Sequence, residues 1–465
     1  MRRTFRPAIA LIAASGMFMA LAACGGGGGG GGSSEGPTGG SGSAKASGTV
    51  VWWGWTPDTP VAQKYIAEFN KTYPDITIKY TNYENADYAP TMSSAFQTGA
   101  GPDVFDVSAG GNVGGKQLWG DYAMDLTQVG EQALGADWKN KFATGYVDQL
   151  TYDNKVVALP LGGVAAGFFW INKNLFEKNG VSTELKTYDD LKAACDKFNG
   201  AGVQCFTMGT NSTDTFSTEL LRTIMNSIDP SYYMKALHGD ASWDDPVFVK
   251  AIDIMRKMQA DGIISQDATS IKQYPEANNN FISQKAAIVQ MGTWYAQYSA
   301  KASMTASMEG AGVSKPVPFT MMPMTSPDFA GQGQIPGLVG EADYGLAINA
   351  KAKNPEAAKT FITWLTTTKE GQQKVANAID LVPALVGVQA DWDNLGLVSP
   401  DIQIPAFKKL FSDAVATKES RNLYISAETG NAQVIAVQQA LSSKSKSSAE
   451  IAKQAEADSV DVPAQ

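Results

Sequence analysis

A chain of 465 residues, 44% hydrophobic and 18% charged, is longer than the roughly 250 to 300 residues that one hydrophobic core serves, so it reads as a globular protein of two lobes or domains. A mean hydropathy of -0.17 and the lack of a long apolar run after residue 23 exclude a polytopic membrane protein. With Lys+Arg 37 against Asp+Glu 46 and a net charge of -9, no attraction for nucleic acid is expected.

Residues 1 to 23 join Arg2, Arg3 and Arg6 to an apolar stretch from Ala8 to Ala20 and end in Leu21-Ala22-Ala23-Cys24. The stretch is too short for a stable membrane span and resembles a bacterial lipoprotein signal peptide with its lipobox. That resemblance implies an export signal over 1 to 23, a lipid on Cys24, and anchoring to the outer face of the cytoplasmic membrane. Residues 24 to 48 then supply the lipidated Cys and a Gly/Ser-rich tether, beginning with eight consecutive glycines. Nothing in it can bury apolar surface, so it is expected to be a flexible coil spanning roughly 25 to 30 Å.

The folded part opens with a β-branched and aromatic run, Thr49 to Trp53, that predicts a strand. Thr59-Pro60 offers an N-cap with Pro at N1, and Val61, Tyr65, Phe69 and Tyr73 recur every four residues until Pro74. Ile76, Ile78 and Tyr80 alternate as a second strand, giving a βαβ start and an α/β class. Thr187-Tyr188-Asp189-Asp190 predicts a capped helix whose apolar face carries Leu191, Ala194, Cys195 and Phe198. Asn354-Pro355-Glu356 starts another, with Ala357, Phe361, Trp364 and Leu365 inward. Cys195 on its helix face and Cys205 on the expected following strand are close enough in sequence for a bridge that export permits; two buried free thiols are the alternative.

Several segments carry a resemblance in order: Gly101-Pro102-Asp103-Val104-Phe105, Asp125-Leu126-Thr127, Val157-Ala158-Leu159-Pro160, Ile171-Asn172-Lys173-Asn174-Leu175-Phe176, the run from Phe281 to Trp294 with Gln-Lys-Ala-Ala and Met-Gly-x-Trp, and Asn354-Pro355-Glu356-Ala357-Ala358 with Phe361. Together they resemble the extracellular solute-binding proteins of ABC importers, in the carbohydrate-binding, maltose-binding-protein-like branch. The resemblance implies a two-lobed α/β periplasmic-binding-protein-like fold with a ligand cleft between lobes joined by crossover strands. By that analogy lobe 1 is 49–160 and 312–375, and lobe 2 is 161–311 and 376–465. It further implies a monomer without cofactor or metal, partnered by a small-molecule sugar and by ABC transporter permease subunits, and bound to the membrane through its N-terminal lipid.

Sugars present apolar C–H faces and rings of hydroxyls, so their sites combine aromatic platforms with groups that pair hydroxyls. Trp52, Trp53 and Trp55 close the first strand, where ligands of doubly wound sheets lie. Alternation puts Trp53 and Trp55 on one face, so Trp55 is expected in the cleft with Trp53 behind it, a core role being the alternative. The resemblance places Trp294 on the family's sugar-stacking tryptophan and Asn112 among its polar contacts. It also brings Glu341, Asp343 and Tyr344 to the chain's return across the cleft, the alternative being a solvated loop. Arg421 and Tyr424 fall where the second lobe lends contacts. Trp170 runs with Phe168 and Phe169, a pattern more common in cores, but sits at the inter-lobe segment and is kept as a candidate.

Other chemistries fit less well. Gly110-x-x-x-x-Gly115-Lys116 ends in Gln117 where a P-loop needs Ser or Thr, and His238 is the only histidine, leaving no His triad or multi-His zinc site. The rival readings are an exported carbohydrate-active enzyme using Glu341 and Asp343 as paired carboxyls, and a binding protein for a peptide, polyamine or oxyanion.

Overall fold

The computed structural model describes residues 46 to 460 apart from 111–113, 213–214, 418–419, 422 and 424. The export signal, Cys24, nearly all of the tether, Asn112 and Tyr424 lie outside the described residues.

The opening βαβ unit forms as its periodicity predicts. Strand β1 (Gly48–Gly54) pairs in parallel with β2 (Ile76–Asn82) across the helix Thr59–Thr72, which buries Ala62, Tyr65, Ile66 and Phe69. The cap differs from expectation: Asp58 rather than Thr59 occupies the N-cap, and its side chain makes no cap bond. Its carboxylate accepts the Tyr298 hydroxyl instead, at 3.2 Å. Further on come β3 (Val104–Ser108), a small hairpin of β4 (Thr151–Tyr152) and β5 (Lys155–Val156), then β6 (Leu159–Ala166), β7 (Phe168–Asn172), β8 (Gln204–Thr207), β9 (Ala286–Val289), β10 (Met321–Thr325), β11 (Val339–Ile348) and β12 (Val382–Pro383).

Apart from the β4–β5 hairpin, these strands build two sheets with helices packed against each, in the order β12-β6-β11-β3-β1-β2 and β10-β7-β9-β8. The chain leaves the first sheet for the second at Gly167, between β6 and β7. Its φ of +101° suits glycine, and a Cβ there would stand 2.7 Å from the Gly337 carbonyl oxygen on the returning segment. Ser326 Oγ donates to the Gly167 carbonyl at 3.1 Å, fastening the two crossing segments together. By sheet membership the return falls between Thr325 and Val339, later than residue 312, and β12 brings the chain back to the first sheet after residue 375.

The second sheet's helices follow the sequence closely. Thr187 and Asp190 form the capping box of Tyr188–Gly200, whose buried face is Leu191, Ala194, Cys195 and Phe198. Cys195 is disulfide-bonded to Cys205 on β8, and both are sealed in the same core as Phe198, Phe206 and Leu221. On the first sheet, Pro355–Thr367 buries Ala357, Phe361, Trp364 and Leu365, while Asn354 Nδ2 donates to the Thr49 carbonyl at 2.8 Å and fixes the start of β1.

With a sequence separation of 10 residues, the bridge closes a short loop, and its loss should cost about 2 to 3 kcal/mol. Urea unfolding of the tether-free domain with and without reductant measures this. Thiol titration of the denatured, unreduced protein should find no reactive cysteine; two reactive thiols would place both residues in the core as free cysteines.

Candidate functional site

One wall of the candidate site is set by the end of β1. Asp106, fully buried on β3, accepts the Trp52 indole N–H at 3.0 Å and faces the Thr56 amide at 3.5 Å. Gly54 is obligatory beside it, because a Cβ there would fall 2.2 Å from Asp106 Oδ2. Trp52 is thereby drawn into the core against Tyr80 and Phe361. Trp53 and Trp55 are half-buried: Trp53 meets Tyr83 edge-on at 5.3 Å, and Trp55 meets Tyr88 at 5.0 Å and Tyr344 at 5.6 Å.

The opposite wall follows β9. Gly292 turns the chain so that Trp294 folds back over it; a Cβ at Gly292 would lie 2.0 Å from the Trp294 ring and 2.6 Å from the Ala165 carbonyl oxygen. Two further bonds fix the turn: the Trp170 indole N–H donates to the Gly292 carbonyl at 2.9 Å, and the Ala165 amide donates to Thr293 Oγ1 at 3.1 Å. Trp294 itself is half-buried, donates its indole N–H to the Tyr274 hydroxyl at 3.3 Å, and lies 5.9 Å from Phe216. It packs against apolar residues of the first sheet's core and of the core around Trp170 and Phe407. A crevice open to solvent runs between Glu84, Asn85 and Asp87 on one side and Phe216, Lys272 and Tyr274 on the other.

A charged cluster lies beside Trp294. The Arg421 guanidinium carbon sits 4.8 Å from the Trp294 ring centroid, a cation–π placement. Arg421 Nε donates to Glu219, and Nη1 is 4.0 Å from Asp343 Oδ1. Arg222 in turn donates to the carbonyls of Ser420 and Arg421. Glu341 accepts from Ser420 Oγ at 2.7 Å and the Leu423 amide at 2.9 Å, so it ties that segment to β11.

Buried carboxyls surround this cluster. Burial pushes Asp343 up to about 6, with Arg421 opposing the rise and Glu341 adding to it. Burial likewise lifts Asp380 to about 7, against the backbone amides of Asp380 and Leu381, while Asp58 and Asp343 add to the rise. Asp106 is raised well above its ordinary value by burial, despite the Trp52 bond. Burial raises Asp58 too, although the hydrogen bond from the Tyr298 hydroxyl opposes the rise. Arg421 is raised although burial opposes it, because Glu219, Glu341 and Asp343 all face it.

The structure therefore brings Trp294, Arg421 and Asp343 together, and sets Trp53 and Trp55 at the end of β1 against Tyr83, Tyr88 and Tyr344. Three candidates have different roles. Trp170 has no exposed surface and packs among Phe168, Tyr295 and Phe407, so it supports the Trp294 turn rather than presenting a face. Tyr344 is fully buried beneath Trp55, and Glu341 is 6% exposed and engaged with the 420–423 segment. Residues 340 to 345 lie within β11 and not in a solvated loop. Asp58, Asp106, Phe216, Glu219, Arg222, Tyr274 and Asp380 were not legible as site residues, because each becomes one only through a partner distant in sequence.

A family profile described as bacterial extracellular solute-binding protein matches residues 53–372. An uncharacterized ABC transporter extracellular-binding protein of Pyrococcus horikoshii is 24% identical over 326 residues, 68% of this chain and 67% of its own. Among solved structures, a chitin oligosaccharide binding protein superposes with a TM-score of 0.68 at 18% identity, covering 89% of this chain and 98% of its own. A maltose-bound T. maritima protein gives 0.68 at 16% identity, covering 88% and 98%. The two-lobed α/β fold is shared with both.

The raised carboxyls make a stability prediction. In each, the folded state holds its proton at a pH where the unfolded chain has lost it, so the stabilisation is complete below the unfolded value near 4 and is lost as pH rises through about 6 for Asp343 and about 7 for Asp380. The carboxyls held low by partners, Glu68 and Asp261 among them, act oppositely and only below about pH 4.5. Ligand-free protein should thus be more stable near pH 5 than near pH 8. Asp380→Asn should recover on the order of 1 to 3 kcal/mol at pH 8 and little at pH 5. Urea melts at both pH values check this, and an equal loss at both would show that the ionised Asp380 stabilises the fold.

Proposed function

The chain belongs to the bacterial extracellular solute-binding proteins, and from that premise we propose that it captures a mono- or oligosaccharide between its lobes and delivers it to the permease of an ABC importer. The family places it outside the cytoplasm, and among the described residues no helix is long and apolar enough to cross a membrane. One observation supports the sugar reading: half-buried tryptophans stand at the end of the first sheet's β1, Trp53 and Trp55, and after β9, Trp294, the last with guanidinium and carboxyl groups beside it. Flat aromatic faces suit sugar C–H surfaces, and the charged groups suit hydroxyls. The sugar named or bound in both structural relatives, chitin oligosaccharide and maltose, supports the same class.

Closure gives the binding its use. A solute touching both walls stabilises the shut form by its difference in affinity for the two states, and so signals occupancy to the permease. A hydrolase is disfavoured by the engagement of Glu341 with Ser420 Oγ and the Leu423 amide, which takes one of the two carboxyls that an enzyme at this place would need. The protein is proposed to act as a cofactor-free monomer, held to the outer face of the cytoplasmic membrane by lipid on Cys24. Mass spectrometry of the N-terminal peptide from native membranes should find residues 1 to 23 gone and Cys24 diacylglyceryl-modified.

A thermal-shift screen across sugars, amino acids, peptides and polyamines should give its largest shift with a saccharide. Trp294→Ala should then weaken that saccharide by about 1 to 3 kcal/mol, by analogy with truncating a buried aromatic anchor. A shift from peptides or polyamines alone would remove the sugar assignment, and unchanged affinity in Trp294→Ala would move the site elsewhere.

A further inference from the structure

The arrangement of charge around Trp294 says which saccharides the site accepts. Its cation is already committed. Arg421 is 8% exposed, its Nε is bonded to Glu219, and Glu341 and Asp343 also face it. Arg222, the second guanidinium nearby, is 3% exposed and spends its terminal nitrogens on the carbonyls of Ser420 and Arg421. Asp343 differs from its neighbours. Its side chain is 19% exposed, and its nearest cationic atom stands 4.0 Å away, too far for a direct hydrogen bond. An acceptor thus remains accessible near the Trp294 ring, while the nearest guanidinium is already faced by Glu219, Glu341 and Asp343.

We propose that Asp343 is a specificity-determining residue that makes the site select saccharides offering only donors there, hydroxyls or an amine, and reject those bearing a carboxylate. The inference rests on the sugar-binding reading and names the substrate class within it. A hydroxyl or ammonium group over Trp294 meets an acceptor strengthened by negative charge. A uronate at the same place meets Asp343 and Glu341 in a poorly solvated setting, beside a guanidinium that three carboxyls already face. The charged and titratable groups around Asp343 are Arg421 from the segment after Pro400–Ala416, Glu341 on its own strand, Asp106 on β3, Asp380 before β12 and Tyr146 on the helix Tyr146–Gln149. Carboxyls outnumber cations there among the described residues.

The test uses the mature domain and matched sets of glucose- and galactose-based mono- to trisaccharides, each in neutral, 2-amino and uronate forms, titrated calorimetrically near pH 8, where Asp343 is ionised. The uronate should bind at least about tenfold more weakly than its neutral partner, since like charges at short range repel even at an effective dielectric of 20. Asp343→Asn should shrink that ratio severalfold. Should the variant fail to fold, wild-type protein near pH 5 gives the same readout, because Asp343 is then protonated while the uronate stays ionised, and the ratio should narrow there. A uronate that binds as tightly as its neutral partner overturns the inference and leaves the sugar reading standing. A penalty unchanged in Asp343→Asn and at pH 5 overturns the role of Asp343. Binding by no saccharide in any form removes the sugar reading and the inference with it.

Discussion

The Asp106 carboxyl, sealed beneath the end of the first strand, is the constraint from which the aromatic wall follows. A buried carboxyl needs partners, and the Trp52 indole N–H and the amides of the Gly54 to Thr56 turn supply them. That grip sends Trp52 into the core, where Tyr80 and Phe361 pack on it, and alternation along β1 leaves Trp53 on the other face. Trp55, just past the strand, rests on Tyr344 and Tyr88, and Tyr88 returns to the Asp106 carbonyl at 2.9 Å. Removing the carboxyl would free the turn that aims two tryptophans. Its cost in desolvation is offset by a wall with one orientation.

The second wall reaches the same end by steric means. Gly292 lets the Trp294 ring fold over its own backbone, and Trp170 and Thr293 pin the turn to the segment where β6 passes into β7. The turn is therefore fastened at the crossover itself. The Asp58 to Tyr298 bond joins the start of the first helix to the same element that carries Trp294.

Local order was legible where a single segment decides it. The βαβ opening, the capping box at Thr187, the buried face of Pro355–Thr367 and the strand at Cys205 all follow from periodicity and capping chemistry within the segments concerned. The motif residues behind the family resemblance mostly hold the fold. Asp103 accepts from the amides of Val51 and Lys353 at 2.9 and 2.7 Å, and Asn172 caps the helix after β7. The sequence singled out tryptophans at a strand end and after a glycine turn as candidates, and of these Trp52 is core while Trp53, Trp55 and Trp294 keep exposed surface. The polar half of the site was not legible. Arg421 and Glu219 are 202 residues apart, and Asp380 acquires its raised affinity for a proton from being enclosed, which no neighbouring residue in sequence announces. Trp170 misled for the matching reason: its place at the crossover was right, and the direction of its ring, toward Phe407, depends on a helix more than two hundred residues later.

The central claim is that a sugar is held between two walls that belong to different sheets. A crystal structure of the tether-free domain, grown with the saccharide that stabilises it most, tests this most directly. The account predicts the sugar in contact with Trp55 on one side and Trp294 on the other, with Asp343 accepting one of its hydroxyls. A sugar bound to the outer surface of a single lobe, or lying between the walls without touching Trp294, would contradict it.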